Sequence, residues 1–196
     1  QVAEDGGSHQ AIEDISLMRT IPGMTVVVPA DGNEVRLALR QAIEIPGPVY
    51  IRVARPPAAV FTDEDAPFAI GKATRLREGK DVTLVAIGLM VWQALQAAEE
   101  LAEVGIDASV INMHTVKPID REMILAEARK TGRIVTIEEH SVVGGLGTAV
   151  AEVLSESCQI PLTRIGVQDE FGQSGTPDGL LAHYGLTAAG IVKTVK

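Results

Sequence analysis

The second half of the sequence alternates regularly between strand-like and helix-like segments. Short runs rich in β-branched residues, at 82–87 and 108–112, are each followed by a segment of helical character, such as 90–103. Because parallel strands need long crossover connections, usually helices, this order predicts a mostly parallel sheet with helices on both faces. The alternation therefore indicates an α/β protein with a three-layer architecture.

The same pattern predicts the remaining elements of this half. Further strands are expected at 133–137 and 162–166, and further helices at 120–130, 147–157, 177–184 and 188–196. Together they make a complete domain.

The first sixty residues predict only part of an α/β domain. Two strands are expected at 24–28 and 49–53. A helix that starts at Asp31 joins them. A short helix precedes the first strand and ends at Pro22 and Gly23. Because parallel strands need neighbours on both sides, we expect the rest of this domain to lie upstream or on a partner. The chain also lacks an initiator Met, so we expect it to begin within a longer protein.

The residues between these two units have the composition of a linker. Pro56, Pro57 and Pro67 surround an acidic patch at 62–65, and a short strand is expected near 68–72. We therefore predict a partial domain at 1–60, a linker at 61–79 and a complete domain at 80–196.

Charge and cysteine content exclude several classes of function. The 17 basic and 26 acidic residues leave a net charge of −9, so nucleic acid and anionic membrane surfaces are not expected partners. The apolar runs are too short to span a bilayer. Cys158 is the single cysteine, which predicts a reducing, cytoplasmic location.

Two positions have the chemistry of a binding site. The run from Asp5 to His9 combines a carboxylate, two glycines, a hydroxyl and an imidazole at the start of a predicted helix. Such a turn suits an oxygen-rich or anionic ligand, although a simple helix cap has the same composition. Arg55 follows a predicted strand and is either a phosphate-binding guanidinium or a surface arginine.

Other polar positions are predicted to be structural. The glycines at 144–147 lie several residues after the predicted strand at 133–137, whereas a dinucleotide-binding fingerprint begins directly after its strand. These glycines are therefore expected to mark the start of a helix. We expect Glu138, Glu139 and His140 to form a solvated rim, because neighbouring strand residues face opposite ways. Packing or surface roles are expected of the other polar and aromatic candidates, which are His114, His183 and Trp92.

Taken together, long ordered stretches of the chain resemble the transketolase family. The later part of the family's pyrimidine-binding domain is resembled by the stretch EDGGSHQAIEDISLMRTIPGMTVVVPADGNEV. The family's C-terminal domain is resembled by VINMHTVKPID, IVTIEEHSVVGGLGTAVAEVL and IGVQDEFGQSGTPDGLLAHYGLTAAGI. The resemblance covers essentially the whole chain and is strongest to the C-terminal subunit of a split transketolase. It implies transfer of a two-carbon ketol unit between sugar phosphates through thiamine diphosphate.

The resemblance also implies roles for three residues. Asp5 matches the family aspartate that contacts the C2 hydroxyl of the sugar, and His9 matches the histidine that hydrogen-bonds substrate hydroxyls. Arg55 matches the arginine that binds the substrate phosphate. Gly7 departs from the family, which usually has proline at this position.

The family module that binds diphosphate and Mg²⁺, with its G-D-G…N-N signature, is absent from this sequence. The resemblance therefore implies that this chain alone binds no cofactor and is inactive. The parent enzyme would use thiamine diphosphate and Mg²⁺, supplied with an N-terminal transketolase region or subunit. A homodimer formed through the C-terminal domain is also expected. Two alternatives remain: the tail of a 1-deoxyxylulose-5-phosphate synthase, and a non-catalytic assembly or regulatory module.

Overall fold

The computed structural model describes residues 3–55 and 58–196. The helices of this part of the chain are α1 (Asp14–Thr20), α2 (Gly32–Ala42), α3 (Met90–Glu103), α4 (Arg121–Thr131), α5 (Leu146–Ser157), α6 (Pro177–His183) and α7 (Ala188–Val195). The strands are β1 (Thr25–Val27), β2 (Val49–Ile51), β3 (Thr74–Arg77), β4 (Val82–Ala86), β5 (Ala108–Asn112), β6 (Thr115–Lys117), β7 (Ile134–Ser141) and β8 (Leu162–Val167).

The larger sheet has the strand order β3-β5-β4-β7-β8. Strand β4 pairs in parallel with β5 and β7, β7 pairs in parallel with β8, and β3 is antiparallel at the edge. Every residue of β4 and β5 is buried, as expected of central strands covered on both faces. The mostly parallel sheet predicted from the sequence is therefore confirmed.

Helices cover both faces of this sheet. Leu84 of β4 packs in one apolar cluster with residues of α3 and α7, whereas its neighbour Val85 packs in a second cluster with residues of α4 and α5. Successive strand residues point to opposite faces, so the two clusters lie on opposite sides of the sheet. This arrangement confirms the predicted three layers.

The smaller sheet joins the two halves of the chain. Its order is β2-β1-β6, with β1 and β2 parallel and β6 antiparallel to β1. The amide of Val28 also donates to the carbonyl of His114 at 2.7 Å, which continues the contact beyond β1. Strand β6 is not predicted by the sequence pattern. The first unit was expected to need further strands from elsewhere. Strand β6, from the second half of the same chain, supplies one of them.

Helix α2 begins as its sequence predicts. Asp31 accepts hydrogen bonds from the amides of Asn33 and Glu34 through its side chain, and from the amides of Phe61 and Thr62 as well. Burial opposes ionisation of Asp31, but these hydrogen bonds favour the anion and leave its pKa below the ordinary value. The cap therefore also attaches the segment after β2 to the start of α2.

The segment between the two units departs from the sequence-based expectation. The strand expected near 68–72 is found later, as β3, where it extends the larger sheet by pairing with β5.

Trp92 was expected to be a packing residue. The centroid of its ring lies 5.5 Å from that of Phe61, and Trp92 remains 37% exposed. No helix within residues 3–55 and 58–196 has the length and apolar character needed to cross a membrane.

Candidate functional site

A cavity of about 490 Å³ opens beyond the carboxyl ends of β1, β2 and β4. In open α/β sheets this edge is where ligands bind. The wall combines residues after β1 and β2 with residues from the second half of the chain, including Leu181 and Tyr184 around α6. Most of the wall is apolar, and its charged side chains include Asp14, Arg52 and Arg55 from the first unit and Glu139 from the second half of the chain.

His9 lies at the edge of this cavity, at the end of a 3₁₀ turn spanning Gly7–His9. The turn packs closely against a loop of the second half. A Cβ on Gly7 would lie 2.4 Å from the carbonyl oxygen of Gly172, and Gln10 donates to the carbonyl of Gln173 at 2.8 Å. Glycine at position 7 therefore lets the two backbones approach one another, while the imidazole stays exposed.

Arg55 lies at the same rim, just beyond β2, and lines the cavity. Its guanidinium forms an ion pair with the carboxylate of Asp5, and the two side chains are 65% and 39% exposed. The structure thus brings together the three residues selected from the sequence, Asp5, His9 and Arg55. Their roles in substrate binding stay predictions. Pro56 and Pro57, named with Arg55 in the sequence analysis, lie outside the described residues.

Beneath this rim is a polar cluster that no sequence motif indicated. The Oδ2 atom of Asp14 accepts hydrogen bonds from the hydroxyl of Tyr50 at 2.7 Å and from Nε of Arg52 at 3.1 Å. Burial, reinforced by the neighbouring Asp14 carboxylate, raises the pKa of Tyr50 to about 12. The sequence carried one signal for this cluster. Tyr50 and Arg52 are two residues apart in an extended segment, so their side chains face the same side.

The predicted solvated rim at the end of β7 is wrong for two of its three residues. The side chains of Glu138 and His140 are fully buried. Glu138 accepts hydrogen bonds from the amides of Leu146 at 2.6 Å and Gly147 at 2.8 Å, so its carboxylate caps the start of α5. Burial raises the pKa of Glu138 to about 7 against the opposing effect of these hydrogen bonds. The expected helix start is confirmed here.

His140 lies between the two units. Its Nδ1 donates to the carbonyl of Ser141 at 2.7 Å, and its Nε2 accepts a hydrogen bond from the amide of Ser16 at 3.4 Å. The Oδ1 atom of Asp14, which is buried without a hydrogen-bond partner, lies 4.0 Å from Nε2. Burial lowers the pKa of His140, in agreement with a neutral ring that accepts at Nε2.

The other histidines are placed in structural positions. His114 is fully buried between β5 and β6 and stacks on Phe68, with ring centroids 4.1 Å apart. His183 ends α6 and lies 3.0 Å from the side-chain amide of Gln173. Within the described part of the chain, no three His, Cys, Asp or Glu side chains are grouped so that they could hold a metal ion.

The fold and the rim together define an α/β protein with a cleft at the carboxyl ends of parallel strands, lined by mostly apolar residues and a few charged side chains. Residues 71–191 match the family model of the transketolase C-terminal domain, and residues 1–59 match that of the transketolase pyrimidine-binding domain. The chain belongs to the transketolase family.

Individual relatives agree with this assignment. The chain is 53% identical over 189 residues to the 6-deoxy-6-sulfo-D-fructose transketolase subunit SqwH of Clostridium sp. (strain MSTE9), covering 96% of this chain and 59% of that protein. It is 42% identical over 198 residues to the 1-deoxy-D-xylulose-5-phosphate synthase of Heliobacterium modesticaldum (strain ATCC 51547 / Ice1), covering 100% of this chain and 31% of that protein.

A solved structure described as a split gene transketolase, inactive beta4 tetramer, has a similar fold. It superposes with a TM-score of 0.91 at 51% identity, covering 96% of this chain and 61% of that one. The chain thus spans about three fifths of the length of this protein and of SqwH.

Proposed function

We propose that this chain forms the substrate-binding wall of a thiamine-diphosphate-dependent transketolase that transfers a two-carbon ketol unit between sugar phosphates. The observation that carries the proposal is that His9 and Arg55 line one cavity and that Asp5 is paired with Arg55 at its rim. These groups come from separate parts of the sequence. Their convergence at the carboxyl ends of parallel strands is what a phosphorylated, hydroxyl-rich ligand requires.

Each of the three side chains has a distinct part in this proposal. The guanidinium of Arg55 binds the phosphate, and its five N–H donors allow it to keep a contact with Asp5 while it does so. The carboxylate of Asp5 accepts a hydrogen bond from a sugar hydroxyl. The imidazole of His9 can donate to or accept from a second hydroxyl.

In this proposal the cofactor is held with the help of another polypeptide. Thiamine diphosphate supplies the carbanion chemistry when it is bound, together with Mg²⁺, in the assembled enzyme. The partner is an N-terminal transketolase region or subunit, and the C-terminal domain forms a homodimer contact. The division into 1–60, 61–79 and 80–196, and the cytoplasmic location, belong to the same proposal.

A reconstitution assay tests this function. The chain is mixed with a complementary N-terminal transketolase subunit, thiamine diphosphate and Mg²⁺, and turnover of a ketose-phosphate donor with an aldose-phosphate acceptor is followed. We expect turnover only from the mixture, and a loss of about 100-fold or more in kcat/KM for Asp5→Ala, equivalent to about 2.7 kcal/mol. Turnover by the chain alone, or an unaffected Asp5→Ala variant, contradicts the proposal.

A second candidate is the tail of a 1-deoxyxylulose-5-phosphate synthase. It is favoured by the 42% identity to such an enzyme along the whole chain. The two activities use different donors, so the same mixture is assayed with pyruvate and glyceraldehyde 3-phosphate. Product from pyruvate without turnover of a ketose phosphate selects the synthase.

The non-catalytic alternative would be favoured by an anion bound near residues 144–148, with nothing bound near Asp5 and Arg55. In the structure the carboxylate of Glu138 already accepts hydrogen bonds from the amides of Leu146 and Gly147. Those two donors are therefore occupied by the protein itself. This contact favours a structural helix start over an effector site.

A further inference from the structure

Tyr50 of β2 and Arg52, the residue directly after β2, hold the segment that follows His9. Arg52 donates from Nη2 to the carbonyl oxygen of Ala11 at 2.9 Å and from Nε to Oδ2 of Asp14 at 3.1 Å. Tyr50 donates to the same oxygen of Asp14 at 2.7 Å. Ala11 lies only two residues beyond His9, so Arg52 restrains the backbone close to the imidazole.

These restraining groups are far less exposed than the groups at the rim. The side chains of Arg52 and Asp14 are 17% and 10% exposed, whereas that of Arg55 is 65% exposed. A partly buried ion pair is weakly screened by solvent and salt. The planar guanidinium also directs its donors in a fixed fork, so two acceptors on the same segment are held in one geometry.

The backbone of Arg52 is anchored as well. Its amide donates to the carbonyl of Val27 at 2.9 Å, which extends the pairing of β1 and β2 beyond Ile51. Arg55 follows three residues later on the same strand end. Arg52 is thus a rigid connection between the segment that carries His9 and the strand end that carries Arg55.

The C-terminal half holds the same segment from the other side. The amide of Ser141 donates to the carbonyl of Ile12 at 2.7 Å, and the amide of Ser16 donates to His140. Residues 11–16 are therefore fixed between β2 and β7. The contacts of Arg52 with this segment come from its side chain, so a substitution alters them and leaves the backbone hydrogen bond to Val27 in place.

We propose that Arg52 is a positioning residue that sets the distance between His9 and Arg55 across the cavity, with Asp14 and Tyr50 holding its guanidinium in place. This inference rests on the proposed function, because it assumes a ligand that spans from the imidazole to the guanidinium at the rim. A sugar phosphate has hydroxyls and a phosphate at a fixed separation. A change in the separation of His9 and Arg55 weakens simultaneous hydrogen bonding to both groups, because hydrogen bonds tolerate only a narrow range of distance and angle.

A double-mutant cycle in the reconstituted enzyme tests the inference. Arg52→Lys keeps the charge but loses the planar fork of donors, and Arg36→Lys, at an exposed arginine of α2, is the matched control. We expect Arg52→Lys to raise KM for the phosphorylated acceptor about tenfold with little change in kcat, and Arg36→Lys to have no effect. In a His9→Ala background, the same Arg52→Lys change should raise KM for the phosphorylated acceptor by less than about twofold, because the imidazole that Arg52 positions is absent.

Hydrogen exchange of the chain gives a second readout. Arg52→Lys should increase exchange of the amides of residues 8–13, and Arg36→Lys should not. An equal effect of Arg52→Lys with and without His9, or unchanged exchange at these amides, overturns the inference while the proposed function stands. Absence of turnover from the wild-type mixture, or turnover that does not depend on Asp5, overturns the proposed function itself.

Discussion

The carboxylate of Glu138 lies 3.6 Å from Nδ1 of His140, and both side chains are fully buried at the end of β7. Burial acts on the two groups in opposite directions. It raises the pKa of the acid, to about 7, and lowers that of the base. Both effects favour the neutral forms in a place where the first unit, α5 and the larger sheet meet.

Glu138 should make the protein less stable as the pH rises from 4.5 to 7. Its pKa is about 7 in the folded protein and 4.5 ordinarily, so unfolding in this window releases a proton. The free energy of unfolding therefore falls with rising pH, by about 3 kcal/mol from this group. Urea unfolding at several pH values should show this slope reduced in Glu138→Gln and kept in the exposed control Glu156→Gln. If the free energy of unfolding varied with pH in the same way for Glu138→Gln and the wild type, this prediction would be wrong.

His114 should contribute the opposite slope. Burial lowers its pKa to about 4 from the ordinary 6.5, so the unfolded chain binds a proton that the folded protein does not. The stability that the neutral ring provides above pH 6.5 is lost as the pH falls towards 4, by about 3 kcal/mol. Because Glu138 contributes the opposite slope over much of this range, each variant is compared with the wild type: between pH 6.5 and 4, His114→Phe should lose about 3 kcal/mol less, and His183→Gln should match the wild type. Urea unfolding monitored by circular dichroism at each pH provides the measurement.

Arg75 should be one of the most important charged residues for stability. It donates to Glu127 from Nε at 3.0 Å and from Nη2 at 2.6 Å, and the side chain of Glu127 is only 1% exposed. Arg75→Ala leaves that carboxylate without its main partner and should cost about 3 kcal/mol or more. The control Arg121→Ala breaks an exposed pair with Glu156 and should cost less than about 1 kcal/mol. Chemical denaturation that gives equal losses would refute this difference.

Alanine at two glycines should have opposite effects. At Gly7 the new Cβ would lie 2.4 Å from the carbonyl oxygen of Gly172, so the two loops must separate, at a cost of about 1–3 kcal/mol. At Gly32, the first residue of α2, no atom lies within 4 Å of the new Cβ. Alanine there should stabilise the protein by about 0.4–1 kcal/mol. Thermal unfolding and hydrogen exchange at residues 172–174 distinguish the two variants.

Local patterns were sufficient to predict most of the regular elements. Strand β4 follows from its run of buried apolar residues, and α2 follows from the cap at Asp31 and its helical spacing of apolar residues. Both depend on interactions within a few residues. The displaced strand β3 does not, because its position is set by pairing with β5 more than thirty residues later.

The candidate site was predicted only in part. Asp5, His9 and Arg55 were selected by residue type and by resemblance, and they do lie at one rim. Arg52 and Tyr50 were missed, because the partner that gives them a role, Asp14, is more than thirty residues away in the chain. No local periodicity reports such a contact.

Sequence alone determined most of the order of elements, the three-layer architecture built on the larger sheet, and the family. These follow from the alternation of residue types and from stretches of motif that need no knowledge of distant contacts. Tertiary structure decided that β6 completes the smaller sheet, that Glu138 and His140 are buried, and that Asp14 joins Arg52 and Tyr50. The physical reason is that burial and hydrogen-bond partners depend on which surfaces pack together, and residues far apart in the chain determine this.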